Sequence, residues 1–410
     1  MIYQFHTLPN GIRLVHRQTT NLVAHLGVMI NTGTRDEESS EGGLAHFIEH
    51  MIFKGTRKRK LHHVLGYLEN IGADLNAYTT KEETCIHASF PVQYYKRAFD
   101  LFSDILTNST FPEKEIEKEK DVIIDEINGY KDTPSELIFD EFEEMLFYNH
   151  PLGKPILATP SIVRKISRRK IVNFIAKHYN TDNIVISSVG NISFKNLIKL
   201  AEHYFGIIPA NTRNKERQPF TNYNPAARTI KKTGFQTHCI IGCPAYSYAD
   251  NRRTTLALLT NLLGGPAMNS RLGMALREKR GISYNVESSY TPYCDTGSFM
   301  IYLGIDNGSL DKALELVNKE LYKLRNQKLG TLQLHMAKQQ FAGQLAISFE
   351  SNLNDALSMA KSVLAYDTVD TPEVLISKIL GVTDKELIDT ANEILNTENL
   401  SRLVYSNKKL

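Results

Sequence analysis

The 410-residue chain is long enough for two or more domains, each with a core of its own. Hydrophobic residues make up 42% of the sequence and charged residues 23%, which is the composition of a globular protein. The formal net charge of +3 is too small to indicate a nucleic-acid partner, and no apolar run is long enough to span a bilayer. Neither nucleic acid nor membrane is therefore an expected partner.

The compartment is predicted from the N-terminus and the cysteines. Residues 1–14, MIYQFHTLPNGIRL, follow a strand-turn-strand pattern, without the apolar segment of a signal peptide or an Arg-rich amphipathic presequence. The four cysteines lack zinc-ribbon spacing and are interpreted as reduced structural thiols. The basic run 54–60, KGTRKRK, is interpreted as a solvated loop. Together these features predict a cytoplasmic protein.

The first part of the chain is predicted to alternate short strands and amphipathic helices. In chain order, the pattern predicts a strand over 23–30, helices over 41–55 and 61–71, a long strand over 74–90, and helices over 94–106, 111–130 and 136–148. Two of these helices, 41–55 and 111–130, carry the candidate catalytic and metal-binding residues.

Residues 41–55, EGGLAHFIEHMIFKG, predict a buried helix whose N-cap is expected at the serine pair 39–40. Positions i, i+3 and i+4 of a helix share one face, which places His46, Glu49 and His50 together, apart from an apolar stripe. Two imidazoles one turn apart suit a zinc ion, and the adjacent carboxylate suits a general base. The alternative is a pair of core histidines bonded to backbone carbonyls, with a glutamate that reaches solvent.

The segment 111–130, FPEKEIEKEKDVIIDEINGY, predicts a second helix, opened by Pro112 in its first turn. Its isoleucines define a buried stripe, and Glu119 and Glu126, seven residues apart, are placed on the same side. Carboxylates on a buried side need a metal ion, a histidine or an arginine as partner. A catalytic zinc site needs a third protein ligand, and this is often a carboxylate.

These segments resemble a known family. HFIEHMIFKGT at 46–56, NAYT at 76–79 and the two glutamates of 111–130 are similar to the M16 family of zinc peptidases. H-x-x-E-H is the inverzincin motif. The similarity is greatest with the short-chain, processing-peptidase-like bacterial branch of the family.

The resemblance implies a complete active site in the first half of the chain. His46, His50 and Glu126 would hold one Zn²⁺ per chain, and Glu119 would lie close behind the site and support it. Glu49 would be the general base. Asn76 and Ala77 would lie on an edge strand to which the peptide substrate is added in extended form. A plain sheet strand is the alternative for Ala77.

An internal repeat divides the chain. SRRKIVNFIAKHYNTDNIVISSVG at 167–190 is similar to TDKELIDTANEILNTENLSRLVYS at 383–406, at an offset of 216 residues (383 − 167). A repeat of this period indicates a duplicated domain. We therefore predict a metal-binding peptidase domain over 1–208, a polar linker over 209–227, and a second domain of the same fold over 228–410.

The second copy lacks H-x-x-E-H at the equivalent position and contains SRLGMALREKRGISY at 270–284, which predicts a helix that ends at Gly281. Composition alone indicates a solvated basic face. REKRGISY resembles the second motif of the M16 family, which implies that Arg277 and Tyr284 bind substrate near the scissile carbonyl. Such side chains would stabilise a developing oxyanion.

The predicted fold class is α+β, with two homologous domains, each a largely antiparallel sheet packed with helices on one side. The resemblance implies a zinc-dependent endopeptidase that hydrolyses unstructured peptides inside a closed chamber formed by two chains. A homodimer is expected, with a hetero-partner of the same family as the other possibility. The alternatives are a non-catalytic scaffold or partner subunit of the same fold, and a metal-dependent hydrolase of another bond.

Overall fold

The computed structural model describes residues 2–213 and 216–407. Within them the strands are β1 Gln4–Thr7, β2 Arg13–Gln18, β3 Val23–Ile30, β4 Asp74–Thr79, β5 Thr84–Pro91, β6 Ile184–Gly190, β7 Ala227–Lys231, β8 Gln236–Ala245, β9 Ser283–Pro292, β10 Gly297–Asp306 and β11 Ser401–Ser406. The helices are α1 Leu44–Met51, α2 Leu61–Glu69, α3 Tyr95–Asn108, α4 Glu113–Lys131, α5 Pro134–Leu146, α6 Pro160–Val163, α7 Arg168–His178, α8 Phe194–Phe205, α9 Arg253–Gly264, α10 Leu310–Asn326, α11 Thr331–Ser348, α12 Asn352–Tyr366, α13 Pro372–Gly381 and α14 Asp384–Ile394. A π-helix spans Gly273–Glu278.

The strands form two sheets with the same internal order. The first sheet has the order β1-β2-β6-β3-β5-β4, and the second has the order β7-β11-β8-β10-β9. Without β1, the first order matches the second strand for strand. Only β2 with β6 and β7 with β11 pair in parallel; the other neighbours are antiparallel. The predicted fold class, two homologous α+β domains with largely antiparallel sheets, is confirmed.

The sequence repeat coincides with a structural repeat. In the first copy α7 is followed by a 3-10 turn at Thr181–Asn183 and by β6. In the second copy α14 is followed by a 3-10 turn at Thr397–Asn399 and by β11. The two helices begin 216 residues apart (384 − 168), which is the offset found in the sequence.

Contacts divide the described chain into two compact units that are not continuous in sequence. The first contains the chain up to Gly129, Lys154–Gln218 and Ser348–Thr371; the second contains Tyr130–Gly153, Pro219–Ile347 and the chain from Pro372 onward. Each unit therefore includes one segment from the other half of the chain. The predicted ranges 1–208 and 228–410 do not include this exchange.

The segment that the first unit takes from the second half contains α12, which covers a face of the first sheet. Along β3, Leu26 and Val28 point into a core that is shared with the first-half helices, whereas Met29 points into a separate core. Met359 and Val363 of α12 complete that second core. The prediction that helices pack on one side only is therefore wrong, because both faces of this sheet are apolar.

The second unit is built in the same way around α5, which comes from the first half of the chain. Along β10, Phe299 and Ile301 point into the larger core, and Met300 points into the other. Phe142 and Leu146 of α5 fill this second core. Both sheets thus have helices on both faces.

Replacing Asp355 of α12 with alanine is expected to lower the free energy of unfolding by about 3–5 kcal/mol, because it breaks a buried ion pair. Asp355 pairs with Arg17 of β2 and accepts a hydrogen bond from the Tyr3 hydroxyl at 3.1 Å, and its side chain is 1% exposed. Urea denaturation measures the change. The control is Asp367→Asn, since Asp367 pairs with Arg13 but is 81% exposed and should change stability by less than about 1 kcal/mol. Equal effects of the two substitutions would contradict this account of α12.

The predicted linker 209–227 is partly fixed to the first unit; its residues 214 and 215 lie outside the described residues. Arg213 and Arg217 form ion pairs with the buried Asp36, at 2.5 and 2.8 Å. Burial alone would raise the pKa of Asp36, but the two guanidinium groups outweigh burial and lower it. The linker arginines therefore anchor the loop that precedes α1.

None of the helices in the described ranges is both long and apolar enough to cross a membrane.

Candidate metal centre

Helix α1 carries the two histidines and is held rigidly by its apolar side. Phe47 and Met51 are fully buried in the core of the first unit. The chain enters the helix through Gly43, which has a positive φ of 73° and lies so close to Ala158 that a Cβ would be 2.5 Å from the Ala158 Cβ. Only glycine fits this approach without strain.

The first turn of α1 is capped by a residue that the sequence analysis missed. Glu37 accepts hydrogen bonds from the backbone N–H groups of Gly43 and Ala45, both at 2.9 Å. The predicted N-cap at the serine pair 39–40 is wrong, since the helix begins at Leu44 and has no side-chain cap from a neighbouring residue. Burial raises the pKa of Glu37 to about 8, against the lowering effect of its two N–H donors.

Helix α4 brings the two predicted glutamates to α1, but their environments differ. Glu119 is 5% exposed, whereas the side chain of Glu126 is 43% exposed. The prediction that both lie on a buried side is therefore correct only for Glu119. Glu126 lies two turns further along, on the open side of the site, where its carboxylate remains accessible.

His46, His50 and Glu126 converge. Each offers one ligand atom, and these atoms all lie within 4.8 Å of one another. Nε2 of His46 is 3.8 Å from one carboxylate oxygen of Glu126, and Nε2 of His50 is 3.7 Å from the other. Ligands of one tetrahedral zinc ion lie roughly 3.3–3.6 Å apart. The three donor atoms are thus close enough to hold one zinc ion after modest side-chain shifts.

The electrostatics of the two histidines differ. Burial, assisted by the neighbouring His50, lowers the pKa of His46 to about 4, so His46 is a neutral imidazole near pH 7. Burial would also lower the pKa of His50, but its hydrogen bond to Glu119 and the nearby carboxylates of Glu126 and Glu49 raise it. The ring centroids of the histidines are 4.6 Å apart in an edge-to-face arrangement. A cation at this position would be favoured by the surrounding carboxylates.

Glu119 orients His50 from behind. Nδ1 of His50 lies 2.9 Å from Oε1 of Glu119, and a carboxylate can only accept a hydrogen bond, so Nδ1 carries the proton. The Nε2 lone pair of His50 is then free to bind a metal on the side of Glu126. Lys54 contacts the other oxygen of Glu119 at 2.7 Å. Glu119 therefore lies behind His50, and its supporting role stays a prediction. Lys54, which the sequence pattern assigns to a solvated loop, also contacts this group.

Glu49 lies beside the ligands in a largely buried position. Its Oε2 is buried without a well-formed hydrogen bond to any described residue. Burial raises the pKa of Glu49; the nearby Thr79 hydroxyl and His50 lower it, and the charge of Glu126 raises it. The net effect is a raised pKa, which suits a group that must take up and release a proton near neutral pH.

The predicted substrate strand has the expected place in the sheet. The pattern 74–90 is two strands, β4 and β5, and β4 is the edge of the first sheet. Asn76 is exposed, and its side-chain oxygen accepts a hydrogen bond from the N–H of Ala77 at 2.8 Å. Thr79, at the end of this strand, faces Glu49. The edge strand therefore lies next to the metal-binding helix α1 in the first unit.

Arg277 and Tyr284 belong to the second unit. Arg277 lies on the π-helix Gly273–Glu278, lines a cleft of about 230 Å³, and donates a hydrogen bond from Nε to Glu278 at 2.9 Å. Tyr284 is 64% exposed at the start of the edge strand β9, and its hydrogen bond with Asp306 raises its pKa. The predicted helix is observed as the π-helix, which ends at Glu278, three residues before the predicted end at Gly281, where φ is 62°. The roles of Arg277 and Tyr284 stay predictions.

The counterpart of α1 in the second unit has no ligands. Strands β3 and β8 begin 213 residues apart (236 − 23), and the same shift carries His46, Glu49 and His50 to three leucines of α9. These are Leu259, Leu262 and Leu263. A polar site in the first copy is thus an apolar contact in the second.

Comparison with known sequences identifies the family. The sequence model described as Insulinase (Peptidase family M16) matches residues 13–160, and that described as Peptidase M16 inactive domain matches residues 165–341. The chain belongs to peptidase family M16. Similar proteins of this M16 chain include "Uncharacterized zinc protease YmxG" of Bacillus subtilis, 31% identical over 401 residues and 97% of each chain. An "Uncharacterized zinc protease" of Rickettsia bellii is 30% identical over 98% of this chain and 97% of its own.

Solved structures show that the M16 fold extends over the whole chain. The peptidase M16 inactive domain from Pseudomonas fluorescens superimposes with a TM-score of 0.93 at 20% identity, and covers 100% of this chain and 98% of its own. A protease from Helicobacter pylori gives a TM-score of 0.91 at 19% identity, with 99% of both chains covered. At these identities the likeness concerns the fold.

Proposed function

We propose that this M16 chain is a zinc-dependent endopeptidase that hydrolyses unstructured peptides. The observation that carries the proposal is the convergence of His46, His50 and Glu126 beside a largely buried Glu49. The names of the relatives, which are called zinc proteases, support it. The proposal includes one zinc per chain, because the equivalent helix of the second unit carries leucines in place of ligands.

Each residue of the proposed site has a separate role in the reaction. A zinc ion held by His46, His50 and Glu126 would supply a Lewis acid that polarises the peptide carbonyl and acidifies water. Glu49 takes the proton from the attacking water and returns it to the leaving amine. Its raised pKa, caused mainly by burial, brings the carboxyl closer to the pH at which both transfers are efficient.

Substrate binding would use the open edge of β4. An extended peptide can pair with the backbone around Asn76 and Ala77, and this selects chains without structure of their own. The chamber implied by the family resemblance would strengthen that selection. Arg277 and Tyr284 would contribute donors to the developing oxyanion. Because one chain carries both motifs, a homodimer is the simplest assembly.

The test compares a quenched unstructured peptide with a small ester substrate, before and after removal of metal by a chelator. The proposal predicts cleavage of the peptide, loss of cleavage after chelation, and recovery when zinc is returned. Cleavage that survives complete metal removal, or hydrolysis of the ester alone, would contradict the proposal. A chain that binds zinc and cleaves neither substrate would support the non-catalytic partner subunit.

A further inference from the structure

One buried carboxylate is shared between the metal centre and a lysine outside it. The Glu119 side chain is 7% exposed, with Oε1 at 2.9 Å from Nδ1 of His50 and Oε2 at 2.7 Å from Nζ of Lys54. Both oxygens are therefore engaged, each by one N–H donor. A carboxylate held at both oxygens cannot rotate about its terminal bond without losing a contact.

Lys54 is itself held in place by the segment that follows α1. Its backbone N–H donates to the carbonyl of Met51 at 3.1 Å. The next two residues are fixed by isolated bridges, Gly55 with Lys60 and Thr56 with Ser109. Gly55 has a φ of 126°, which turns the chain sharply after Lys54. The lysine stem thus starts from a rigid point four residues after His50.

We propose that Lys54 is a positioning residue for the metal centre. By anchoring Oε2 of Glu119, it holds Oε1 in line with Nδ1 of His50, and the ring keeps its Nε2 lone pair directed to the side of Glu126. The inference rests on the proposed function, because it concerns the zinc ligands named there. It adds a residue to which neither the motif nor the relatives assign a role.

Lys54 is expected to affect zinc affinity because it restricts the movement of Glu119, and Glu119 orients the ligand His50. Without Lys54, one oxygen of a buried carboxylate loses its donor, and Glu119 gains freedom to turn away from His50. His50 then has to be ordered by the metal at the moment of binding, which weakens affinity. Loss of such outer contacts typically lowers metal affinity about 10–100-fold.

The neighbouring lysines show that this role is not a general property of the basic run. Among the described residues, neither Lys58 nor Lys60 has a carboxylate partner, and both are exposed. Arg59 pairs at 2.5 Å with Asp100 and Asp104 of α3, which are not among the proposed ligands. Lys58→Met is therefore a matched control that removes the same charge from the same segment.

The experiment measures the zinc dissociation constant of the full chain by competition with a chromophoric chelator. Lys54→Met is expected to raise the constant about 10–100-fold, Lys54→Arg to recover most of the affinity, and Lys58→Met to have no effect. The decisive comparison is a double-mutant cycle with Glu119→Gln. If Lys54 acts through Glu119, Lys54→Met adds little to the loss that Glu119→Gln already causes.

Three outcomes would overturn the inference. Equal weakening by Lys54→Met with and without Glu119→Gln would mean that Lys54 acts independently of Glu119. Zinc binding by the parent together with unchanged binding by Lys54→Met would refute the inference and leave the proposed function standing. A parent that binds no zinc would overturn both. If metal-free Lys54→Met has a lower unfolding temperature than the parent, the same comparison is made with Lys54→Gln. This variant keeps a hydrogen-bond donor and removes the charge.

Discussion

Replacing Glu49 with glutamine is expected to lower kcat/KM for peptide hydrolysis about 100- to 10,000-fold while zinc binding is retained. Glutamine has the size of glutamate but cannot accept a proton from water. The buried Oε2 of Glu49 has no well-formed hydrogen bond to a described residue, so the substitution disrupts little of the surrounding structure. The measurement is the steady-state cleavage of an unstructured quenched peptide, beside metal analysis of the same preparation.

The matched control for this substitution is Glu113→Gln. Glu113 is exposed in the first turn of α4, so its replacement removes the same charge at a distance from the site. It should leave cleavage unchanged. Full activity of Glu49→Gln would remove Glu49 from the reaction, and loss of zinc from that variant would assign it a ligand or structural role instead.

Substitution of a proposed zinc ligand is expected to have a large effect on both zinc binding and peptide cleavage. We expect His46→Ala and Glu126→Gln each to weaken zinc binding by more than about 100-fold, beyond the range of outer contacts, and to abolish peptide cleavage. Both side chains have their ligand atoms within 4.8 Å of that of His50, and together the three form one cluster of possible metal ligands. Chelator competition and the peptide assay measure the two effects.

Asp125→Asn is the control for Glu126→Gln, because Asp125 is the adjacent exposed acid on α4. Its substitution should change neither zinc affinity nor cleavage. If Glu126→Gln bound zinc as tightly as the parent, Glu126 would not be the third ligand. The partly exposed Glu126 and the buried Glu119 would then have to exchange roles, and Glu119→Gln would show the larger loss.

Local spacing was sufficient to predict the arrangement on α1. His46, Glu49 and His50 share a face because helical geometry requires it, whatever surrounds the helix. The same kind of inference was less successful on α4. Its apolar periodicity predicts that Glu126 lies on a buried side, but the Glu126 side chain is 43% exposed. Periodicity identifies a face of a helix, but the extent of cover at each turn depends on elements that lie elsewhere in the chain.

The features that were missed are those set by distant or turn-specific contacts. Glu37 caps α1 from a loop six to eight residues away in sequence, a distance that no capping pattern covers. The break between β4 and β5 is made by Thr80, whose hydroxyl accepts hydrogen bonds from the N–H groups of Glu82 and Glu83. This type of turn has a sequence signal, and the segment 74–90 was nonetheless predicted as one strand.

The exchange of helices between the two halves could not be predicted from the sequence. Met29 and Met300 show that each sheet has a second apolar face, but an apolar face does not specify which helix covers it. The buried pair of Arg17 and Asp355 links residues 338 positions apart, far beyond any local pattern. Family resemblance supplied the fold as a whole, whereas these contacts became visible only in the structure.

The most direct test of the central claim is the location of zinc in crystals of the parent chain, by anomalous scattering recorded on either side of the zinc absorption edge. We predict a single strong peak per chain, in contact with Nε2 of His46, Nε2 of His50 and the carboxylate of Glu126. A stoichiometric zinc peak at any other position, with none between these three side chains, would contradict the assignment of the metal centre.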